Sequence, residues 1–166
     1  MAKLLDASPP AEDEGAYRTL RDAVAGLDAG DGLPRALAHP DFVLANAVAT
    51  TDGRIVMVDW AGAGTAPRVW PLAFLLWSVG FDGDLRRVDR VVAGYRHHVR
   101  LEPEELARLG DLIRARPVLF DAWAFATGRK RLDEAASGAA RSRELAQAIA
   151  DRARAAFRGQ RPTRAR

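Results

Sequence analysis

The chain has 166 residues, of which 28% are charged and 48% apolar, with a net charge of +3. This length suits one domain with a hydrophobic core, and the composition is that of a globular protein. Cysteine is absent, which excludes disulfides and thiolate metal sites and fits a reducing compartment such as the cytoplasm. The most apolar stretch, 69–81, is shorter than the roughly 20 residues of a membrane span, so we expect no membrane contact.

Both ends of the chain are predicted to lie outside the folded part. Residues 1–11 have the character of a flexible leader, because Pro9 and Pro10 break regular structure. The arginine-rich end, 159–166, could contact nucleic acid, but no aromatic residues interleave its arginines. We therefore favour a solvated basic tail, expect no nucleic-acid partner, and place the domain at 12–158.

The first predicted elements are a helix and a β-hairpin. Apolar residues recur at helical spacing between about 12 and 27. The turn signal Asp52-Gly53 separates two apolar runs and predicts a hairpin whose second strand ends at Asp59.

After Asp59 the pattern predicts helices alone. The segment 67–80 is apolar nearly all round, which is typical of a helix buried on every side. Asp84 is placed to cap the next helix and Pro103 to open another. Further helices are predicted over about 117–127 and 132–157. The fold class expected from these elements is α+β and predominantly α-helical.

The polar residues that could take part in a reaction are concentrated in the stretch 38–64. It contains His39 and Asp41, then Asn46 five residues after the aspartate, then Asp59 at the end of an apolar strand. Phosphoryl transfer from a nucleotide needs one carboxylate to accept the proton of the acceptor hydroxyl. It also needs oxygen ligands for magnesium, and an amide oxygen and a carboxylate suit that ion. The hairpin would bring Asp59 back towards Asn46.

This segment resembles the catalytic loop and metal-binding strand end of the aminoglycoside phosphotransferase family, which is similar to protein and choline kinases. The kinase pattern H-x-D-x4-N matches His39, Asp41 and Asn46, and the metal-binding aspartate of kinases matches Asp59. The resemblance implies that Asp41 is the catalytic base, that Asn46 and Asp59 bind Mg²⁺, and that His39 braces the loop. It further implies a kinase-like C-terminal lobe, ATP or GTP as donor, and a small-molecule hydroxyl as acceptor.

Other interpretations of these residues stay open at this point. Asp41 and Asn46 could be ordinary turn residues, and Asp59 a strand-end carboxylate that accepts backbone N–H groups. Gly62-x-Gly64 after a strand could indicate a dinucleotide loop. Asp82 and Asp84 could face a cationic acceptor, although a helix cap is the simpler role for Asp84.

Several positions depart from the family pattern. Pro40 stands where glycine is usual, Leu44-Ala45 where Pro-Gly is frequent, and Ala61 where a second acid is common. Pro71 falls where relatives often place an aspartate that braces the catalytic loop. These changes suggest a divergent subfamily.

The resemblance also implies an N-terminal nucleotide-binding lobe, and the residues before His39 show no such strands. Their lysine, Lys3, lies in the predicted leader. We therefore expect a truncated enzyme whose nucleotide-binding residues are not identified, and which a separate N-lobe chain could complete. The alternative is a non-catalytic binding module derived from such an enzyme.

Overall fold

The computed structural model describes residues 13–158, so the predicted leader and basic tail lie outside the described residues. Six helices and four short strands form the described part. Their bounds in chain order are α1 Glu14–Ala25, β1 Arg35–Ala38, β2 Ala47–Ala49, β3 Ile55–Met57, β4 Gly64–Pro67, α2 Trp70–Gly80, α3 Arg86–Tyr95, α4 Pro103–Ala107, α5 Leu109–Ala126 and α6 Leu132–Arg158. The α+β, mostly helical fold class is thereby confirmed. None of the described helices is both long enough and apolar enough to cross a membrane.

The strands form two separate two-stranded antiparallel sheets. β2 and β3 are the predicted hairpin, in which Val48 lies opposite Val56. β1 pairs with β4, from Arg35 opposite Pro67 to Ala38 opposite Gly64. The prediction of helices alone after Asp59 is therefore wrong. β4 has the sequence Gly-Thr-Ala-Pro, without alternation of apolar and polar residues, and its partner strand lies far away in sequence.

The core consists of two apolar clusters that the long helices α5 and α6 both join. The first is built around Leu72 and Leu76 of α2, with Val88 and Val92 of α3 packed beside them. The second packs α1, through Tyr17 and Leu20, against the later turns of α5 and the first half of α6. Because α5 and α6 contribute to both clusters, they hold the two halves of the domain in one arrangement.

Helix boundaries agree with the sequence pattern except at two places. α2 begins at Trp70 instead of 67, because Pro67 belongs to β4. Its buried face includes Leu72 and Leu76, and its other residues are half-buried, which is close to the predicted burial on every side. α5 begins at Leu109 and contains Pro117 in its interior. The prediction had placed a helix start at Pro117, since proline lacks the N–H that an interior position would donate.

Candidate active site

The predicted site residues lie on one segment that the β1–β4 ladder closes at its base. The loop with His39 and Asp41 follows β1, and a single 3₁₀ turn that ends at Asn46 leads into β2. Asp59 follows β3. The hairpin therefore lies between the two predicted metal ligands, and the predicted base precedes it.

His39 joins the loop to the end of β3. Its side chain is buried, and Nδ1 accepts the backbone N–H of Asp41 at 3.1 Å. A neutral imidazole with Nδ1 as acceptor carries its proton on Nε2. Nε2 accordingly donates to the carbonyl oxygen of Val58 at 2.8 Å. The ring of Trp60 meets the His39 ring edge-on at 4.7 Å between centroids and fixes its orientation.

Asn46 and Asp59 are brought together by the hairpin register. Ala47 lies opposite Met57, and the carbonyl of Asn46 accepts the N–H of Val58 at 2.9 Å. Nδ2 of Asn46 donates to the carbonyl of Asp41 at 2.8 Å, which leaves the amide oxygen without a partner in the described chain. The carboxylate of Asp59 likewise has no hydrogen bond or ion pair with any residue of 13–158. The backbone pairing thus places these two residues near each other, and each has a hard oxygen donor without a partner in residues 13–158.

Asp59 has a left-handed backbone conformation, with φ of 62°. A residue with a Cβ atom adopts this region at a cost, although aspartate and asparagine adopt it more readily than most. Nε1 of Trp60 donates to the carbonyl of Met57 at 2.9 Å and closes the turn around Asp59. The sharp change of direction carries the chain away from β3 immediately after Val58.

Asp41 is held from the other side by Arg116 of α5. Nη2 and Nε of Arg116 donate to Oδ1 of Asp41 at 2.8 and 3.1 Å. Oδ2 has no hydrogen-bond partner among the described residues, and the Asp41 side chain is about half exposed. One carboxylate oxygen is therefore anchored and the other is free to accept a proton.

Arg116 is the functional candidate that the sequence did not reveal. It lies outside every motif, on a helix whose start was misplaced, and its contact with Asp41 spans 75 residues. The sequence offered one indirect signal, which is the absence of the bracing aspartate at Pro71. In the structure the loop is held by His39 and Arg116 instead.

The donor set fits magnesium. Within residues 13–158 no group of three or more His, Cys, Asp or Glu side chains is placed to hold a metal ion. Magnesium, however, keeps several waters and is usually bound through one or two protein oxygens together with substrate phosphates. Asn46 and Asp59 supply such a pair.

The competing interpretations fit the structure less well. Gly62 and Gly64 lead into β4, whereas a dinucleotide-binding loop leads into a helix. The carboxylate of Asp82 accepts Arg87 at 2.8 Å, and that of Asp84 accepts Nε of Arg86 at 2.9 Å. Asp84 also accepts the backbone N–H of Arg86 at 3.2 Å, but the N-cap of α3 is Leu85, so the prediction that Asp84 caps this helix is wrong by one residue.

Comparison with known proteins decides the family. The sequence model of the phosphotransferase enzyme family (APH) matches residues 2–109, well over half of the chain. The chain belongs to this family. The matched part of the chain contains Asp41, Asn46 and Asp59, and it ends at the first residue of α5. No curated protein and no solved structure matches the chain significantly. Arg116 and the rest of α5 and α6 lie beyond the match.

Proposed function

We propose that this chain is the C-terminal lobe of a kinase-like phosphotransferase of the aminoglycoside phosphotransferase type. It transfers the γ-phosphoryl group of ATP or GTP to a hydroxyl of a small molecule. Membership of the family supports phosphotransfer in general. The identities of the lobe, the nucleotide donor and the small-molecule acceptor are what we propose in addition.

The proposal rests on which oxygens of three polar side chains have hydrogen-bond partners and which do not. Asp41 has one anchored and one free oxygen, and the side-chain oxygens of Asn46 and Asp59 have no partner among residues 13–158. Turn residues with a purely structural role would use these oxygens for backbone N–H groups. Here the Asp41 and Asn46 contacts fix the side chains in place and leave acceptor oxygens available.

In the proposed reaction Oδ2 of Asp41 accepts the proton of the acceptor hydroxyl. The hydroxyl oxygen of the acceptor forms a new bond to the γ-phosphorus as the bond between that phosphorus and the nucleoside diphosphate breaks, so the diphosphate leaves with the bonding electrons. Arg116 keeps the carboxylate in position, and His39 fixes the loop relative to Asp59. Asn46 and Asp59 would hold magnesium, which supplies charge neutralisation at the phosphates.

The surface of the two small sheets supports a partner lobe. Large apolar side chains are exposed there, among them Leu37 at 72% and Ile55 at 74%. Exposed apolar side chains of this size suit an interaction site when they form a joint patch. A nucleotide-binding lobe, from another segment or from a separate chain, would cover it and complete the cleft. We accordingly expect little or no phosphotransfer from this chain alone.

The test of the chemistry is Asp41→Asn. General base catalysis contributes about 10²–10⁴-fold, so the release of nucleoside diphosphate in the presence of magnesium and hydroxyl acceptors should fall at least about a hundredfold. The matched control is Asp31→Asn, an exposed aspartate outside the site. A measurable wild-type rate that Asp41→Asn leaves unchanged would refute the assigned role of Asp41.

The test of the metal site is thermal. Ligands that bind only the folded state raise the melting temperature by mass action. Magnesium with a non-hydrolysable ATP analogue should raise it in the wild type and in Asp41→Asn, and should do so less in Asp59→Asn. If the wild type shows no rise, metal–nucleotide binding by this chain alone loses its support. A binding module without catalysis would instead be stabilised by a small molecule that needs no magnesium.

A further inference from the structure

A cavity of about 310 Å³ opens beside the candidate active site, between α2, α5 and α6. Its apolar wall is formed by Trp77, Pro117 and Phe120, and its polar wall includes Lys130 and Arg141. A volume near the lower limit of about 300 Å³ for small-molecule sites suits a single-ring compound. Most of its lining belongs to the part of the chain beyond the family match.

Arg116 connects this cavity to Asp41. The side chain lines the cavity, and it also lines a neighbouring one formed with Val43, Leu44 and Ala45 of the catalytic loop. The same guanidinium donates to Oδ1 of Asp41. A molecule in the cavity that contacts Arg116 is therefore separated from the proposed base, Asp41, by that one side chain.

The charges of the cavity are predominantly positive. Arg116 is paired with Asp41, and Lys130 is paired with Asp121. Arg141 projects from α6 and has neither a hydrogen bond nor an ion pair with any residue of 13–158. Two carboxylates thus face three cations, and the uncompensated charge is that of Arg141.

Asp121 is not available to bind a cationic ligand. Its side chain is buried, and Lys130 donates to Oδ1. Oδ2 lies against the backbone of Gly138, where a Cβ atom would come within 2.2 Å of it. The carboxylate is therefore fixed by its ion pair and by close packing. Asp82 and Asp84 are engaged by Arg86 and Arg87 in the same way.

We propose that this cavity binds the acceptor through an anionic group, a phosphate or a carboxylate, that pairs with Arg141 beside the Lys130–Asp121 ion pair. The exposed ring of Phe120 packs on an apolar face of the acceptor. The hydroxyl of the acceptor lies towards Arg116 and Asp41. This inference rests on the proposed function only in identifying the bound molecule as the phosphoryl acceptor. The binding itself requires neither nucleotide nor magnesium. The acceptor is accordingly a small anionic hydroxyl compound, in contrast to a polyamine antibiotic.

The experiment compares four hexoses that differ in one group: glucose 6-phosphate, glucuronate, glucose and glucosamine. Binding to the full chain is measured by amide chemical shifts at low salt, without magnesium or nucleotide. We expect glucose 6-phosphate, glucuronate or both to bind and to perturb α5 and α6, and glucose and glucosamine to bind more weakly. The stronger of the two anions identifies a phosphate or a carboxylate as the preferred group.

Two arginine variants on α6 make the test specific. Arg141→Gln should weaken binding of the anionic hexose about tenfold, as expected for loss of one charge-assisted hydrogen bond. Arg143→Gln makes the same charge change two residues further on, outside the cavity, and should leave the affinity unchanged. Asp41→Asn should bind the anion at least as well as the wild type, so a failure of catalysis leaves this result intact. Equal binding of all four hexoses, no binding of either anion, or equal affinities of the two arginine variants would overturn the proposal.

Discussion

At the scale of single residues, Asp59 serves two requirements that oppose each other. Its carboxylate is the metal ligand that we propose, and its backbone is held at a positive φ that glycine would adopt more easily. Left-handed backbone costs a residue with a Cβ atom roughly 1–2 kcal/mol. Strain of this kind at a site with free oxygen donors is what a function that needs the side chain would produce.

This conflict predicts an order of stability among variants at position 59. Asp59→Gly and Asp59→Ala both remove the carboxylate, but only glycine relieves the backbone. We therefore expect Asp59→Gly to exceed Asp59→Ala by about 1 kcal/mol in the free energy of unfolding, measured with urea in the absence of magnesium. Both variants should lose the magnesium-dependent rise in melting temperature. Equal stabilities would show that the positive φ is not imposed in solution.

The sequence could predict His39, Asp41, Asn46 and Asp59 as site residues because the pattern that they form depends on local spacing. Each belongs to one segment, and a loop followed by a hairpin keeps sequence neighbours close in space. Arg116 could not be found in this way, since its contact with Asp41 depends on how α5 packs against the loop. Neither the spacing of polar residues nor helix periodicity encodes that arrangement.

At the scale of elements, one buried ion pair fixes the connection from β4 to α2. Glu105 of α4 is fully buried, and Arg68 donates to it twice, at 2.9 Å from Nε and 2.7 Å from Nη2. The backbone N–H of Glu102 also donates to Glu105, at 2.8 Å, and so caps α4. Because the N–H of Arg68 donates to Pro34 at 2.9 Å, the pair also anchors the end of the β1–β4 sheet.

The same pair makes stability depend on pH. Burial alone would raise the pKa of Glu105, but the hydrogen bonds from Arg68 and Glu102 and the charge of Arg68 outweigh it. The pKa in the folded chain therefore lies below its ordinary value of 4.5. As pH falls below that value, the unfolded chain takes up a proton that the folded chain does not. The stabilisation is complete at neutral pH and is lost as pH falls towards the folded pKa.

Glu105→Gln tests this account. Removing one partner of a buried ion pair leaves the other charge without compensation, and we expect a loss of about 3 kcal/mol in the free energy of unfolding at pH 7. The loss should shrink as the pH is lowered below 4.5 in urea titrations. Glu104→Gln, the neighbouring and exposed glutamate, should change stability by less than about 0.5 kcal/mol. A deficit that does not change with pH would contradict the linkage.

Elements with a strong periodic pattern were predictable, and those defined by distant partners were not. α1, the β2–β3 hairpin and α6 follow from apolar spacing and a turn signal. β4 forms only because β1 is available to pair with it, and its residues have no pattern of their own. α5 continues through Pro117 because burial on both sides of it outweighs the missing backbone hydrogen bond.

At the scale of the whole molecule, the described part has a well-packed helical portion and two small sheets with exposed apolar side chains. The helices enclose both core clusters, whereas the sheets expose Leu37, Val48 and Ile55, and the register places Val48 and Ile55 on opposite faces of the β2–β3 hairpin. Two-stranded sheets have little stability of their own in water, so these depend on the helices and on whatever covers them.

Ile55→Lys separates the two contributions. Ile55 is 74% exposed, so the free energy of unfolding should change by no more than about 0.5 kcal/mol. Binding of an apolar dye and concentration-dependent light scattering should both decrease. Ile149→Ala, at a fully buried position, should instead cost about 2–5 kcal/mol. If Ile55→Lys were as costly as Ile149→Ala, the sheet surface would be packed in solution, for instance against a second copy.

The pairing of β1 with β4 joins the two ends of the segment 39–63, which contains the candidate site, so this segment is a closed loop of chain. The cost of closing a loop grows slowly with its length, at about 0.6 kcal/mol for each doubling. Insertions at the hairpin tip, near Asp52 and Gly53, should therefore be tolerated, because they lengthen the loop without altering its closure. Changes in the ladder, such as at Ala38 or Gly64, shift the whole segment as a unit relative to Arg116. The molecule thus combines a tip whose length can vary with a base that sets the alignment of the site.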